Sequence, residues 1–219
     1  MPTPQKSITL ILVSDTHSLH DELDMPAVAG ESILIHAGDA TMFSRPPSSI
    51  DRFNDWLGSL PYNHKVFVPG NHESYISEDL RRRTQLSNAT VLINESATIA
   101  GMKIWGSPVT PLANTAFGMP IAVARRRVYS TIPDDTDILI THGAPFSVLD
   151  MAPGSNHHAG DPELLGAVQR VQPILHVFGH VHGAHGIEEI DDTLYVNAAL
   201  LSPDGDIEQK PIVVRIAPK

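Results

Sequence analysis

The sequence predicts an α/β layered fold, with central mixed β-sheets flanked by helices. Three observations lead there. Short apolar runs rich in Ile, Val and Leu recur along the chain without alternating with polar residues, the pattern of strands covered on both faces. Stretches of helical period separate several of these runs, and strand–helix–strand alternation builds layered α/β domains. Many of the runs also stop abruptly at a Gly beside Asp, Asn or His, residues that turn the chain rather than continue a strand.

In chain order, the first strand is predicted over residues 8–13 and stops at Ser14-Asp15. A second covers 32–37 and stops at Gly38. Residues 48–60 follow as a helix, because Ile50, Phe53, Trp56, Leu57 and Leu60 share one face and Ser48 or Ser49 can serve as N-cap. Strands are predicted at 65–68 and 103–105, and a shorter, less regular helix over 121–129. A strand at 137–141 precedes a helix over 161–171. There Asp161 is the N-cap, Pro162 takes the first helical position, and Leu164, Leu165, Val168 and Val171 repeat at helical spacing. Short strands at 174–178, 193–196 and 212–216 close the chain and point to one mixed sheet or to two sheets. The Pro- and Gly-containing connections at 44–47, 107–120 and 144–160 are long, and long loops in compact domains are often functional. Residues 1–219 read as a single domain.

Composition narrows the chemistry. The chain has 219 residues, no Cys, 12 His and a formal net charge of -10. Without Cys there is no disulfide framework, no Cys-ligated zinc or iron–sulfur site and no Cys nucleophile. The acidic balance and an aromatic content of 5% oppose a nucleic-acid polymer as partner, which needs a basic track and stacking platforms. No stretch approaches the roughly 18 apolar residues of a membrane span. The run at 8–13 is too short for a signal peptide, so a cytoplasmic protein without membrane contact is expected. The abundance of His is the positive signal, because imidazole is both the commonest metal ligand and the usual proton carrier near neutral pH.

Five of the predicted strands end alike. Residues 8–13 lead to Asp15-Thr16-His17, 32–37 to Gly38-Asp39, 65–68 to Gly70-Asn71-His72-Glu73, 137–141 to His142-Gly143, and 174–178 to Gly179-His180-Val181-His182. Ligands of open α/β sheets bind beyond the carboxyl ends of strands, so these groups are expected to converge on one crevice. A single Asp-x-His is common by chance, but plain turn formation would have to produce the same accident at every one of these ends. Carboxylate, amide oxygen and imidazole nitrogen suit two divalent ions of Mn, Fe, Zn or Ni. The i, i+2 pairs Asp15/His17 and His180/His182 point to one side of an extended chain. Asp39 stands alone in its cluster and has two oxygens with which to bridge the ions. Two ions about 3.5–4 Å apart can clamp an in-line displacement at phosphorus and ionise the attacking water.

The order Asp-x-His, Gly-Asp, Gly-Asn-His-Glu, His, Gly-His-x-His resembles the signature of the calcineurin-like metallophosphoesterases, over a span from Asp15 to His182. The resemblance implies Asp15, His17, Asp39 and His182 on one metal and Asp39, Asn71, His142 and His180 on the other. It implies that His72 is not a ligand but contacts phosphate and protonates the leaving group, while a hydroxide shared by the ions attacks phosphorus; Asp39 and His72 are thus the expected catalytic pair. Residues 35–39, 57–61, 70–73, 139–143 and 176–182 look like the metallophosphoesterase-domain-containing, brain-protein-like branch, which is similar to class III cyclic-nucleotide phosphodiesterases. That implies hydrolysis of a small phosphodiester such as a cyclic nucleotide, and all seven ligand positions are filled. The chain departs from the protein-phosphatase branch at Ala40-Thr41-Met42-Phe43, where that branch carries Asp-Arg-Gly and a phosphate-binding Arg. It departs from the closer branch at Gly183-Ala184-His185-Gly186, where an acidic residue and an aromatic are expected, and in having few aromatics over 115–121.

Other residues have plainer readings. His36 and His176, inside apolar runs, are expected to be buried histidines with hydrogen-bond partners rather than ligands. His20, His64 and His185 read as surface residues, His185 being near enough in sequence to line the rim of the site. His157-His158 lie in a long loop that either contacts substrate or is merely solvated. Arg81-Arg82-Arg83 and Arg125-Arg126-Arg127 read as solvated helix faces before they read as anion contacts. Asn197 ends a strand where it could support the site. The expected partner is a small phosphoester substrate, with a homodimer left open. The competing readings are a hydrolase of the same fold acting on another ester or on nucleic acid, and a scaffold without activity.

Overall fold

The computed structural model describes residues 7–217. The first sheet holds β1 (Ile8–Val13), β2 (Ser32–His36), β3 (His64–Phe67), β4 (Thr90–Val91) and β11 (Ile212–Ile216). Its spatial order is β11-β1-β2-β3-β4, parallel except for the antiparallel edge strand β11. The second holds β5 (Glu95–Ile99), β6 (Met102–Ser107), β7 (Ile138–Thr141), β8 (Leu175–Phe178), β9 (Gly186–Ile190) and β10 (Thr193–Asn197). Its order is β5-β6-β7-β8-β10-β9, with parallel centre strands and antiparallel edges. The expected mixed, layered α/β architecture is therefore present as two sheets.

The non-alternating apolar runs follow from burial on both faces. Leu10, Leu12, Ile33, Ile35 and Val66 point inward and meet Ile104, Ile138, Ile140 and Val177 of the other sheet in one core. The intervening residues Ile11, Val13, Leu34 and Phe67 point outward and pack on Ile50, Phe53 and Leu57 of α1 (Ser48–Ser59). On the far side, Trp105, Leu139 and Phe178 pack on Tyr129 of α3 (Ala122–Tyr129) and on Leu164 and Val168 of α4 (Pro162–Val171). A one-residue slip of any central strand would exchange its two apolar faces, so register is set by these contacts and by the strand-end turns.

Some local expectations are corrected. No side chain caps α1; Pro47 holds the N-cap position, and Ser49 Oγ is buried without a partner. Asp161 does cap α4, accepting from the Glu163 N–H, but its carboxylate also binds Arg125 at 2.7 and 3.2 Å. Arg125 is thus buried rather than solvated, while Arg126 pairs with Glu163 at 2.6 Å. In the other triplet Arg81 pairs with Asp79, Arg82 with Glu78 and Arg83 with Glu95, on a 3-10 segment and not on an α-helix. His20 is buried against Phe53 and Trp56 and not at the surface. β4, β5, β9 and the one-turn helix α2 (Ser74–Glu78) have no signature in the sequence, being two to five residues long and partly exposed. No helix among the described residues is long and apolar enough to cross a membrane.

His36 and His176 are buried inside β2 and β8, as expected. Nδ1 of His36 accepts from the Gly38 N–H and its Nε2 meets Thr16 Oγ1 at 3.0 Å; Nε2 of His176 meets Thr141 Oγ1 at 2.9 Å. Burial pushes both rings down to about 3. An unfolded chain protonates these rings near pH 6.5, so between pH 6.5 and 3 the unfolded state binds more protons. Stability therefore falls as pH falls, by at most about 1.4 kcal/mol per pH unit for each ring. Urea unfolding in chelator at pH 7, 6 and 5 should show a dropping midpoint, and His176→Gln should drop less steeply. Identical slopes would show that His176 does not contribute.

Candidate metal centre

The five chemistry-bearing strand ends come from both sheets and meet at one edge of the core. Asp15 follows β1, Asp39 follows β2, Asn71 follows β3, His142 follows β7 and His180 follows β8. The ends are tied across the sheets. His142 Nδ1 donates to Ala37 O at 2.9 Å, and Asp15 Oδ2 accepts the His180 N–H at 2.9 Å. The packing leaves no room for side chains at two glycines. A Cβ on Gly70 would collide with Asp39 Oδ1, and one on Gly179 with Asp15 Oδ2. Asp15, His17, Asp39 and His180 all have positive φ, from 41° to 68°. Non-glycine residues held in this costly region cluster where the surrounding structure must aim a side chain.

Donor atoms gather in three overlapping groups, Asp15, His17 and His182 in one, Asp39, His142 and His180 in another, and His17, Asp39 and His72 between them, with one suitable atom per residue within 4.8 Å of the rest. Asn71 joins the second, its Oδ1 2.9 Å from His142 Nε2. Asp39 Oδ2 lies between the groups, 3.3 Å from His142 Nε2 and 3.9 Å from His17 Nε2. The structure thus brings together the seven side chains expected as ligands.

The donor set fits cations. Because Nδ1 of His142 and of His182 each face a backbone carbonyl, Ala37 O and Ser202 O, they carry the proton and leave Nε2 as a lone pair aimed into the site. The His182 lone pair faces His17 Nε2 at 3.2 Å and Asp15 Oδ1 at 3.4 Å. Asp15 Oδ1 is buried with no hydrogen-bond partner. Lone pairs converging on lone pairs are repulsive unless positive charge lies among them. The polypeptide alone answers with protons. Burial would lower His142, but Asp39 and Asp15 outweigh it and push the ring up to about 10. Contact with Asp15 raises His182. Burial raises Asp15, yet its contact with His182 and the nearby imidazoles hold it well below the carboxylate range. A divalent ion meets the same need directly and releases those protons.

His72 lies within reach of His17 and Asp39, and it differs from the other imidazoles in what holds it. Its backbone N–H donates to Asp39 Oδ1 at 2.8 Å and its Nε2 lies 3.9 Å from Asp39 Oδ2. The ring lines the cavity over the centre, with 18% of the side chain exposed. Its Nδ1 is buried without a partner, so no hydrogen bond from that nitrogen sets the ring. Phe43 stacks on it at 4.0 Å and His17 meets it edge-on at 4.5 Å. Burial holds His72 below its ordinary value against the pull of Asp39, so an approaching anion is what would restore its proton affinity.

Sequence reasoning assigned no role to Glu73, although Gly-Asn-His-Glu contains it. Its buried carboxylate accepts from the N–H groups of Asp39, Thr41 and Gly70 and from Thr41 Oγ1, locking the β2 and β3 ends together. Burial and Asp39 push it up to about 7. Its place at the end of Gly-Asn-His-Glu was the signal in the sequence; the three N–H groups it gathers come from two strand ends and only the fold shows them. Asn197 does support the site: its amide donates to Val181 O, between His180 and His182. His185 does not line the cavity; it bonds Ala199 O and borders a separate depression with Ser147 and His158. In that depression His158 pairs with buried Asp150 at 2.7 Å, which places it away from the donor groups.

The cavity over the donor groups has a volume of about 570 Å³ and includes Leu19, Met42, Leu201 and Pro203 among its walls. The calcineurin-like phosphoesterase profile matches residues 8–184. Metallophosphoesterase domain-containing protein 1 from Homo sapiens and from Mus musculus is 36% identical over 97% of this chain and 72% of the relative. Phosphopantetheinyl hydrolase from Mycobacterium tuberculosis shares the fold with a TM-score of 0.63 over 98% of both chains at 16% identity. The protein TT1561 of Thermus thermophilus does so at 0.61 over 88% of both chains at 15% identity. The match runs through both sheets and all five strand ends, and the chain belongs to the calcineurin-like phosphoesterase family.

Proposed function

We propose that this metallophosphoesterase is a phosphodiesterase acting on a small phosphodiester, with Asp15, His17, Asp39 and His182 holding one divalent ion and Asp39, Asn71, His142 and His180 the other. Two such ions supply positive charge to the phosphoryl oxygens and acidity to the attacking water. The observation that carries the reading is the lining of the cavity. Among the described residues no Lys or Arg lines it, so beyond the ions His72 is the group able to bring a proton and a positive charge to phosphate. That suits the single charge of a diester better than the two charges of a monoester. His72, aimed by the Phe43 stack and by the Asp39 carboxylate, donates to the departing oxygen. Asp39 holds both ion sites and the His72 backbone in one geometry. Cyclic nucleotides are the diester class to which the sequence resemblance points.

The test joins metal analysis to a substrate screen. Protein loaded with Mn, Fe, Zn or Ni is offered p-nitrophenyl phosphate, bis-p-nitrophenyl phosphate, and 2′,3′- and 3′,5′-cyclic nucleotides. Two ions per chain and a higher kcat/KM on diesters are expected. A preference for the monoester would overturn the diesterase reading, and no turnover with any metal would overturn the enzyme.

A further inference from the structure

A second depression of about 280 Å³ adjoins the first and is lined by Phe43, Asn71, Ser77, Glu78, Asn114 and Thr115, among others. The two are connected by specific residues. Asn71 lines both. The stacked pair gives one ring to each, His72 to the first and Phe43 to the second. Their chemistry differs. Beyond the donor groups, the first has an apolar wall of Leu19, Met42, Leu201 and Pro203, with Asp204 and Gly205 beside it. The second presents hydroxyls, amides and one carboxylate, with no Lys or Arg among the described residues. Ser77 Oγ accepts a 3.3 Å bond from the Phe117 N–H, which leaves its own hydrogen to donate. The exposed Asn114, at a φ of 59°, makes no side-chain hydrogen bond among the described residues.

We propose that the second depression is a subsite for a short, hydroxylated, uncharged arm of an acyclic phosphodiester, whose other arm lies on the apolar wall of the first. This rests on the phosphodiesterase reading. A phosphodiester carries two ester arms, and phosphorus placed beside Asp39, Asn71 and His72 sits at the boundary the two depressions share. A monoester has one arm to place. A cyclic diester closes both arms on one group and fills one side only. Hydroxyl and amide groups recognise a hydroxyl by both donating and accepting. An alkyl arm would dehydrate them without replacing their bonds. An anionic arm would meet Glu78, whose cationic neighbour Arg82 already holds it at 3.1 Å.

Metal-loaded enzyme is assayed on two diesters with the same leaving group, p-nitrophenyl ethyl phosphate and p-nitrophenyl 2,3-dihydroxypropyl phosphate. Wild type should favour the dihydroxypropyl ester about tenfold in kcat/KM. Ser77→Ala and Asn114→Gly should each cut that ratio about threefold; Gly keeps the left-handed backbone at 114, so that variant decides if Ser77→Ala misfolds. Equal turnover of both esters by wild type would overturn the subsite and leave the diesterase reading standing. A preference that survives both variants would likewise overturn the placement here. No turnover of either ester would overturn the diesterase reading itself, and the subsite with it.

Discussion

Asp39→Ala is expected to lower bound metal from two ions per chain to one or none and to cut activity by about 10³-fold. Its carboxylate serves both donor groups and the His72 backbone at once. Oδ2 faces His142 and His17 across the two groups, and Oδ1 accepts the His72 N–H. Removing it deletes a donor from both sets and loosens the backbone that carries His72. It also takes away the carboxylate that raises His142 most. Metal content by plasma mass spectrometry on dialysed protein reads the first effect, and circular dichroism confirms that the chain still folds. Two ions retained in Asp39→Ala would show that the carboxylate does not bridge.

The second large effect separates metal from proton. His72→Ala should keep both ions, because in the proposed assignment its imidazole, though near His17 and Asp39, is a ligand of neither ion. The loss of activity should depend on the leaving group. A diester that expels an alkoxide needs a proton at the departing oxygen, and positioned acids are worth about 10²–10⁴-fold. A diester that expels p-nitrophenolate leaves without one, so its loss should be much smaller. Phe43→Ala, which removes the stacked ring at 4.0 Å, should give a weaker version of the same dependence with metal content unchanged. An equal loss on both esters would mean that His72 binds phosphate but delivers no proton.

Much of this was written locally. Ile11, Leu12 and Val13 followed by Ser14-Asp15 announce a buried strand and its end without reference to any other residue, and so do the runs before Asp39, Asn71, His142 and His180. The turn chemistry and the ligand chemistry use the same residue types, which is why the candidate donors and their strand ends could be read together. Helices α1 and α4 were legible because each buries one face against a sheet, giving a regular apolar period. The short strands β5 and β9 were not, because their residues are half exposed and their pairing comes from neighbours rather than from their own pattern. His20 was misplaced for a similar reason: it follows a turn, and only the packing of Phe53 and Trp56 takes it out of solvent.

The sequence by itself determined the layered α/β class, the strand ends and the kinds of donor atom available, since these depend on residues adjacent in the chain. Tertiary structure decided how those atoms face one another. The proton on His142 is set by Ala37 O, 105 positions away. The aim of Asp15 is set by the His180 N–H, 165 positions away. The same holds for the grip of Glu73 on the β2 turn and for the ring of Phe43 on His72. These depend on two sheets closing on one core, and a hydrogen bond or a stacked ring has directions that composition and periodicity do not encode. The charge of -10 and the 12 histidines of the chain acquire chemical meaning only where the fold brings a few of them within reach of one another.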